Sequence, residues 1–444
     1  MSELLVEKQQ GVPEGYKLTE VGVIPEDWEV RNIGSFTEST AGGTPSTSIP
    51  SYWGGVHPWM SSGELHLKRV FDVLARITDE GLANSSTKYV PSNSVLMGLA
   101  GQGKTRGTVA ISKIPLCTNQ SIAAIFPSNN YCSKYLFYNL ESRYEELRGL
   151  STGDGGRGGL NLTIIRNLKV LFPPIEEQTA IATALSDVDE LLASLEALIA
   201  KKQAIKTATM QQLLSGRTRL PQFALREDGS PKGYKPSELG EIPEDWEVIP
   251  FGALFESSIP RKTLNSNSLV SFVGMQDVSE SAQLINQSIL DFENIRSGFT
   301  YFERGDVLIA KITPCFENGK GCYTGSLGTQ VGFGSTEFHV LRSRNSSDPK
   351  FIYFWTVRDS FRNSLELEMV GSAGHRRVPL SALEDYLIPC PTNKKEQTAI
   401  ATILSDMDAE IEALEKQLSK TQQIKQGMMQ QLLTGKIRLV RPSC

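Results

Sequence analysis

The chain has 444 residues, with 45 Lys and Arg against 50 Asp and Glu for a formal charge of −5, and 39% of it is hydrophobic. That balance excludes a disordered, collagenous or rod-like coiled-coil protein and predicts a soluble chain of two or three folded domains. Six cysteines without a CxxC pair and four scattered histidines suggest neither a disulfide framework nor a metal site. No apolar run approaches the ~18 residues needed to span a bilayer. The N-terminus also lacks the basic-then-apolar layout of a signal peptide, so a cytoplasmic chain with no membrane partner is expected.

The first recognisable element is a box, GYKLTEVGVIPEDWEV at residues 15 to 30, and it returns as GYKPSELGEIPEDWEV at 233 to 248. Only Leu18, Thr19, Val21 and Val23 differ from Pro236, Ser237, Leu239 and Glu241. After each box comes a variable region of mixed pattern. In the first, β-type runs fall at Ser94 to Met97 and Thr108 to Ile111, then an aromatic helix opens at Lys134-Tyr135-Leu136-Phe137-Tyr138, followed by a Gly-rich turn from Gly153. In the second, the runs are Asp306 to Ile312 and Glu337 to Leu341, the helix opens at Lys350-Phe351-Ile352-Tyr353-Phe354-Trp355, and the turn starts at Gly371. Alternation punctuated by Gly and Pro reads as α+β, and the aromatics read as core rather than as stacking platforms.

Each half closes with a second repeated segment. EQTAIATALSDVDELLASLEALIAKKQAIKTATMQQLLSGRTRL from Glu177 aligns without a gap on the segment from Glu396 and matches at more than half its positions. Tandem duplication follows. Ile181, Leu185, Val188, Leu192, Leu195 and Ile199 are spaced by fours and threes, as are Ile400, Leu404, Met407, Ile411, Leu414 and Leu418. That spacing predicts a helical seam in each half. Pro173-Pro174 suits a helix start, and Gly216 and Gly435 with nearby Arg or Lys suit the ends. At ~1.5 Å per residue such helices reach on the order of 55 Å, too long to lie on one small domain. They are expected to pack together, antiparallel, with pseudo-twofold symmetry. Boundaries are placed at 1–30 for the first box, 31–175 for a first globular region and 176–220 for a spacer helix. They continue at 221–248 for the linker with the second box, 249–393 for a second globular region and 394–444 for the second helix.

One segment invites a catalytic reading. Gly98 to Thr105 fits the phosphate-cradling pattern GxxxxGK[ST] and follows an apolar strand, so an ATP site is one alternative function. That chemistry needs a helix beginning at the Lys. Arg106-Gly107-Thr108-Val109-Ala110-Ile111 disfavours a helix and predicts a returning strand. No GxSxG, HExxH, Rossmann fingerprint or amino-methyltransferase tetrapeptide is present, and no catalytic residue or bound cofactor is assigned. Asp187 with Asp189 and Asp406 with Asp408 recur at matched places and are read as solvated or partner-facing. A coiled-coil scaffold without DNA contact is the other alternative.

Charge is uneven along the chain. Residues 31 to 170 carry 14 basic and 9 acidic groups, while residues 249 to 390 carry 13 basic and 15 acidic. Basic clusters sit in Gly/Ser/Asn-rich stretches at Lys104, Arg106 and Arg157, and at Arg261-Lys262, Arg342 with Arg344, and His375-Arg376-Arg377. Loop Arg and Lys of this kind hold phosphates or read guanine edges.

The two boxes, GGTPSTSIPSYWGG at Gly42 to Gly55, GDVLIAKITPCFENGK at Gly305 to Lys320 and the repeated EQTAIA…QQLL segments together resemble the specificity subunit of type I restriction-modification systems. The resemblance covers nearly the whole chain. It implies two target recognition domains, each reading one half of a split double-stranded DNA target, separated by an antiparallel pair of spacer helices. It implies a subunit without an active site of its own. Methyltransferase subunits, usually two, would dock on the repeated segments with S-adenosylmethionine, and motor-nuclease subunits would bring ATP and magnesium. Carried onto this sequence, the DNA-facing candidates are Thr44, Ser46, Tyr52, Trp53, Lys104, Arg106 and Arg157 in the first region. In the second they are Lys311, Asn318, Lys320, His375, Arg376 and Arg377. Tyr52 and Trp53 can equally be packing residues.

Overall fold

The computed structural model describes residues 12–101, 104–150, 159–295, 298–372 and 374–440. Two helices dominate: α1, Ile175–Leu214, of 40 residues, and α2, Lys394–Leu432, of 39 residues. Helix α1 starts directly after Pro173-Pro174, with Glu176 and Glu177 in its first turn, where carboxylates meet the positive end of the helix dipole. Its C-terminus turns on Gly216 at φ +71°, and Gly435 ends α2 at the same φ. An added Cβ at Gly216 would lie 2.6 Å from Pro243, and at Gly435 the same distance from Pro25, so backbone conformation and close approach both require glycine.

The compact units do not follow the halves of the sequence. Unit 1 is Met1–Glu196 with Lys416–Cys444, and unit 2 is Ala197–Glu415. Each unit therefore takes part of both long helices. Within unit 1, Lys425 of α2 binds Asp189 of α1 at 2.7 Å, while Arg438 beyond α2 reaches Glu177 near the start of α1. Within unit 2, Lys202 binds Glu410 at 2.7 Å and Lys206 binds Asp408. Each pair runs antiparallel, as the matched seams predict.

The seam is more than an interhelical stripe. Ile181 and Leu185 are fully buried in a core with Trp28, Tyr135, Tyr138, Ile165 and Leu432, and Ile400 and Leu404 are buried with Trp246, Phe251, Phe351 and Leu214. The outer ends of the seams thus pack into the globular regions. Leu195, Ile199 and Ile411 are also buried, and Val188, Leu192, Met407, Leu414 and Leu418 are half-buried. The reading of Asp189 and Asp408 as solvated is corrected. Asp189 accepts from Tyr138 at 2.6 Å and from Arg69 at 3.1 Å in addition to Lys425, because the aromatic helix and α2 both converge on it.

The two globular regions share one topology despite dissimilar sequences. In unit 1 a sheet runs Ser39–Ala41, Ile122–Ile125, Val95–Gly98, Val109–Ser112, with Arg69–Val70 added at the edge, and a second runs Ala75–Ile77, Trp53–Met60, Leu116–Thr118, Tyr89–Val90. Unit 2 repeats the order as Phe255–Glu256, Phe338–Ser343, Val307–Ala310, Gly321–Tyr323, and Ser288–Asp291, Leu269–Val273, Val331–Gly334, Thr300–Glu303. The predicted strands lie within a residue or two of these. The aromatic helices, Ser133–Glu141 and Pro349–Thr356, pack inward on the sheets, with Tyr135, Phe137, Tyr138, Phe351, Phe354 and Trp355 buried.

The boxes explain the duplication physically. Trp28, fully buried, donates its indole N–H to Glu177 at 2.9 Å, and Trp246 donates to Glu396 at 3.2 Å. Arg438 joins Glu177 to Asp27, as Arg219 joins Glu396 to Asp245. Gln178 accepts from the Cys132 N–H and Gln397 from the Asp348 N–H, which anchors each aromatic helix to the first turn of a long helix. Box, helix start and the end of the other helix therefore form one interlocked cluster, built twice. No helix of the described residues is long and apolar enough to cross a membrane.

Candidate nucleic-acid interface

In unit 1 the segment resembling a phosphate loop, of which Gln102 and Gly103 lie outside the described residues, falls between the antiparallel strands Val95–Gly98 and Val109–Ser112. The Gly107 N–H bonds to the Gly98 carbonyl at 3.0 Å, and a Cβ at Gly98 would stand 2.2 Å from the Thr105 carbonyl oxygen, so the returning arm folds closely over the outgoing one. The chain after Lys104 forms turns and then a strand, not a helix. Without helix N–H groups aimed at a phosphate, the ATP-binding reading loses its physical basis.

Three loops meet at this end of the sheet. The Leu99 N–H donates to the Ser121 carbonyl and the Leu160 N–H to the Leu99 carbonyl, both at 2.8 Å. Thr44 donates to the Gln120 side chain, and Gly42 and Gly43 sit so close to Thr118, Asn119 and Ser86 that no side chain fits there. Thr44 is thereby held on the Asn119-Gln120-Ser121 turn, while in the segment that follows Leu99 Lys104 is exposed, with its backbone carbonyl accepting from the Tyr144 hydroxyl at 3.3 Å, and Arg106 is half-buried. Arg157 lies outside the described residues. Ser46 is exposed and bonds to Ser48 at 2.8 Å.

Trp53 is a packing residue. Its ring stands edge-on to Trp59 with centroids 4.9 Å apart, and its N–H is committed to the Ser46 carbonyl at 3.2 Å. Tyr52 is half-buried, and its backbone carbonyl accepts from Thr78 at 3.0 Å. Both residues shape the 42–55 loop.

Unit 2 builds the same junction with different side chains. The Lys311 N–H donates to the Glu337 carbonyl and the Val378 N–H to the Lys311 carbonyl, both at 2.9 Å. Lys311, Glu337 and Val378 thus occupy the places of Leu99, Ser121 and Leu160. Ile312 forms an isolated bridge with Arg377, and Thr313 donates to the Arg376 carbonyl at 3.0 Å, so the KITPCFENGK loop and the His375-Arg376-Arg377 turn lie side by side. His375 is exposed.

The two arginines on this face stand against carboxylates. Arg377 forms a fork on Glu337 at 2.7 and 3.0 Å, and hydrogen bonding from Arg377 holds the Glu337 carboxyl below its ordinary pKa. Arg376 lies 3.7 Å from both Glu317 and Glu366. Asn318 donates to Glu280 at 3.0 Å. The near-neutral charge of the region is therefore a matter of local pairing. Gln120 and Glu337 were missed as site residues because a lone Gln or Glu in a turn has no sequence signature; only the equivalence of the two turns marks them.

Two assignments are corrected. Lys320 donates its ammonium to the Met275 carbonyl at 3.0 Å in a part-buried position, so it braces the loop rather than presenting charge. Arg342 donates to Asp306 at 2.8 and 2.9 Å and to Glu303 at 2.9 Å, and Arg344 caps the Phe255 carbonyl at 3.1 Å. Both belong to the fold, because partly buried guanidiniums need acceptors. Lys262 pairs with Glu303, and Arg261 donates to the Phe299 carbonyl at 3.3 Å.

Comparison with known proteins decides the family. The type I restriction modification DNA specificity domain matches twice, over residues 25–207 and 243–426. The chain belongs to that family. It is 25% identical to the MjaVIII type I restriction enzyme specificity subunit of Methanocaldococcus jannaschii, over 94% of each chain. It is 34% identical to the EcoEI specificity subunit of Escherichia coli over 36% of this chain and 28% of that protein. The crystal structure of a type I restriction-modification S subunit from M. genitalium shares the fold at TM-score 0.56 and 17% identity, covering 94% of this chain and 97% of the other. This specificity subunit therefore carries two DNA recognition domains, and its role is specification, not catalysis. The three-loop junctions described above lie within the two matched segments.

Proposed function

We propose that each unit of this specificity subunit reads one half of a split, asymmetric DNA target through its three-loop junction. The observation that carries the reading is the repeated junction itself. One backbone hydrogen-bond pattern presents Thr44, Gln120 and Lys104 in unit 1 and Lys311, Glu337, Arg376 and Arg377 in unit 2. Identical scaffolds with unlike side chains suit two unlike half-sites on one molecule. Arg and Gln supply the donors and acceptors that bidentate base reading requires, and Lys supplies phosphate contacts.

The duplicated boxes and helix ends offer two like surfaces, which suits two copies of a methyltransferase subunit related by pseudo-twofold symmetry. Restriction subunits would join through that complex. On this reading S-adenosylmethionine, ATP and magnesium belong to the partners, and the length of α1 and α2 sets the unread gap in the target.

The experiment is to co-express the chain with the methyltransferase subunit encoded beside it and map methylated adenines across the host DNA by single-molecule sequencing. A bipartite motif is expected, and exchanging residues 31–170 for another member's region should alter one half only. A stable complex that modifies no motif would sink the proposal.

A further inference from the structure

A cleft of about 680 Å³ in unit 2 lies beside the end of α1, the Gly240–Pro243 strand of the second box and the Leu387–Pro391 strand, with Arg217, Arg358, Trp355, Tyr234 and Tyr386 in its wall. Arg358 is half-buried and stands 4.4 Å over the Trp355 ring. Neither Arg358 nor Arg217 has a carboxylate at ion-pair distance or a side-chain hydrogen bond among the described residues, and Glu241, which also borders the cleft, pairs with neither. Trp355 is only 3% exposed, and its indole N–H has no acceptor. Burial pushes the Arg358 guanidinium below its ordinary pKa; Tyr386 opposes that shift and the like charge of Arg217 adds to it.

Half-burying the Arg358 guanidinium without a counter-ion is costly, and the like charge of Arg217, which is itself exposed at the rim of the cleft, adds to that cost. The equivalent groove of unit 1 shows the usual solution. There Arg143 pairs with Glu146, Lys169 with Glu20, and Lys425 with Glu141 and Asp189. In unit 2, Trp355 stands at the place of Asn139 and Arg358 at that of Ser142, and the lining carries cationic charge that the fold leaves unmatched.

We propose that this cleft binds a phosphate group, held between the guanidiniums of Arg217 and Arg358. A carboxylate carries one charge on two closely spaced oxygens; a free phosphate or phosphomonoester dianion neutralises both cations with oxygens for two planar forks, and a backbone phosphodiester, with a single charge, still turns its two free oxygens to the two guanidiniums. The phosphate comes either on a free phosphate compound or on a DNA backbone. The proposal is independent of which bases the units read.

The test titrates the full chain with inorganic phosphate against chloride at matched ionic strength, by calorimetry and by thermal midpoint. Saturable binding and a raised midpoint are expected, with Arg217→Gln and Arg358→Gln each weakening binding at least tenfold. In chloride alone Arg217→Gln, at an exposed position, should melt no lower than the parent, so its loss of phosphate binding cannot be misfolding; Arg358→Gln also gives up the contact with the Trp355 ring and is read by its binding below its own midpoint. A non-target duplex separates the sources. If the backbone fills the cleft, the duplex displaces phosphate and the double variant lowers the salt slope of duplex binding by about one, for the one phosphate held there; if a free compound fills it, phosphate binding is lost while that slope stays unchanged. Absence of saturable phosphate binding, equal binding by the double variant, or displacement only by an acidic peptide would overturn the proposal.

Discussion

Arg438, six residues beyond the end of α2, forks onto Glu177 in the first turn of α1 at 2.7 Å, although 261 positions separate them in the chain. Arg219 and Glu396 repeat the relationship in unit 2 at 2.7 and 2.9 Å. In each case the carboxylate is almost wholly buried and also accepts from a box tryptophan. The closure of each unit rests on a charge pair supplied by the two helices.

Removing one partner from such a pair leaves the other buried and uncompensated. Arg219→Ala is expected to destabilise unit 2 by about 3–5 kcal/mol. Adding Glu396→Gln should return a large part of that loss, because the stranded charge is then gone. Urea denaturation of the single and double variants checks this; additive losses would show that the pair is not coupled.

Acid stability has a worked sign. Burial alone would raise the Asp245 carboxyl, but hydrogen bonds and charge from Arg219 and Lys232 outweigh it and hold the pKa at about 2, against 3.8 ordinarily. This depressed group contributes stability that is full above pH 3.8 and is lost as pH falls toward about 2. Glu396 runs the other way: burial, outweighing Arg219, raises it above 4.5, so its protonation on acidification relieves a cost before Asp245 begins to fail. Unit 2 is therefore expected to hold its urea midpoint down to about pH 4 and lose it below. In Asp245→Asn the loss between pH 3.8 and 2 should shrink; an unchanged profile would remove Asp245 as its source.

Gly216→Ala should cost more than Gly229→Ala. Both residues have positive φ, +71° and +81°, and Ala pays about 1–2 kcal/mol for that conformation. At Gly216 the new methyl also meets Pro243 and Trp246, whereas nothing lies within 4 Å at Gly229. The clash adds about 1–3 kcal/mol. Comparing thermal midpoints tests the difference, and equal losses would mean that the Pro243 contact relaxes freely.

On the proposed reading face, Arg377→Ala is expected to lower recognition of one half-site by about 1–3 kcal/mol. Glu337→Gln should instead free Arg377, raising binding to non-target DNA and steepening its salt slope by about one. Methylation assays on targets varied in each half, with salt titrations of non-target binding, measure both. If Glu337→Gln leaves non-target binding unchanged, Arg377 does not face the duplex.

Lys104→Ala in unit 1 should weaken binding to all sequences alike and make the salt slope shallower by about one, as expected of a phosphate contact. Loss confined to one base position would reassign Lys104 to base reading.

Much of this architecture was legible in the residues themselves. The two boxes, the two helices and the seams repeat locally, so composition and periodicity expose them, and Gly216 and Gly435 mark the helix ends because few other residues take the left-handed turn. The hairpin after Gly98 was also legible, since Gly107 and the β-branched residues behind it oppose a helix. Tertiary structure alone decided which part of each helix belongs to which unit, because a seam records that a face is buried and not what covers it. It turned Asp189 into the hub of an ion network, committed Lys320 to a backbone carbonyl and paired Arg377 with Glu337. Those outcomes depend on partners tens to hundreds of residues away, and a charge in a sequence carries no sign of whether its counter-ion will be water, a neighbouring carboxylate or a ligand.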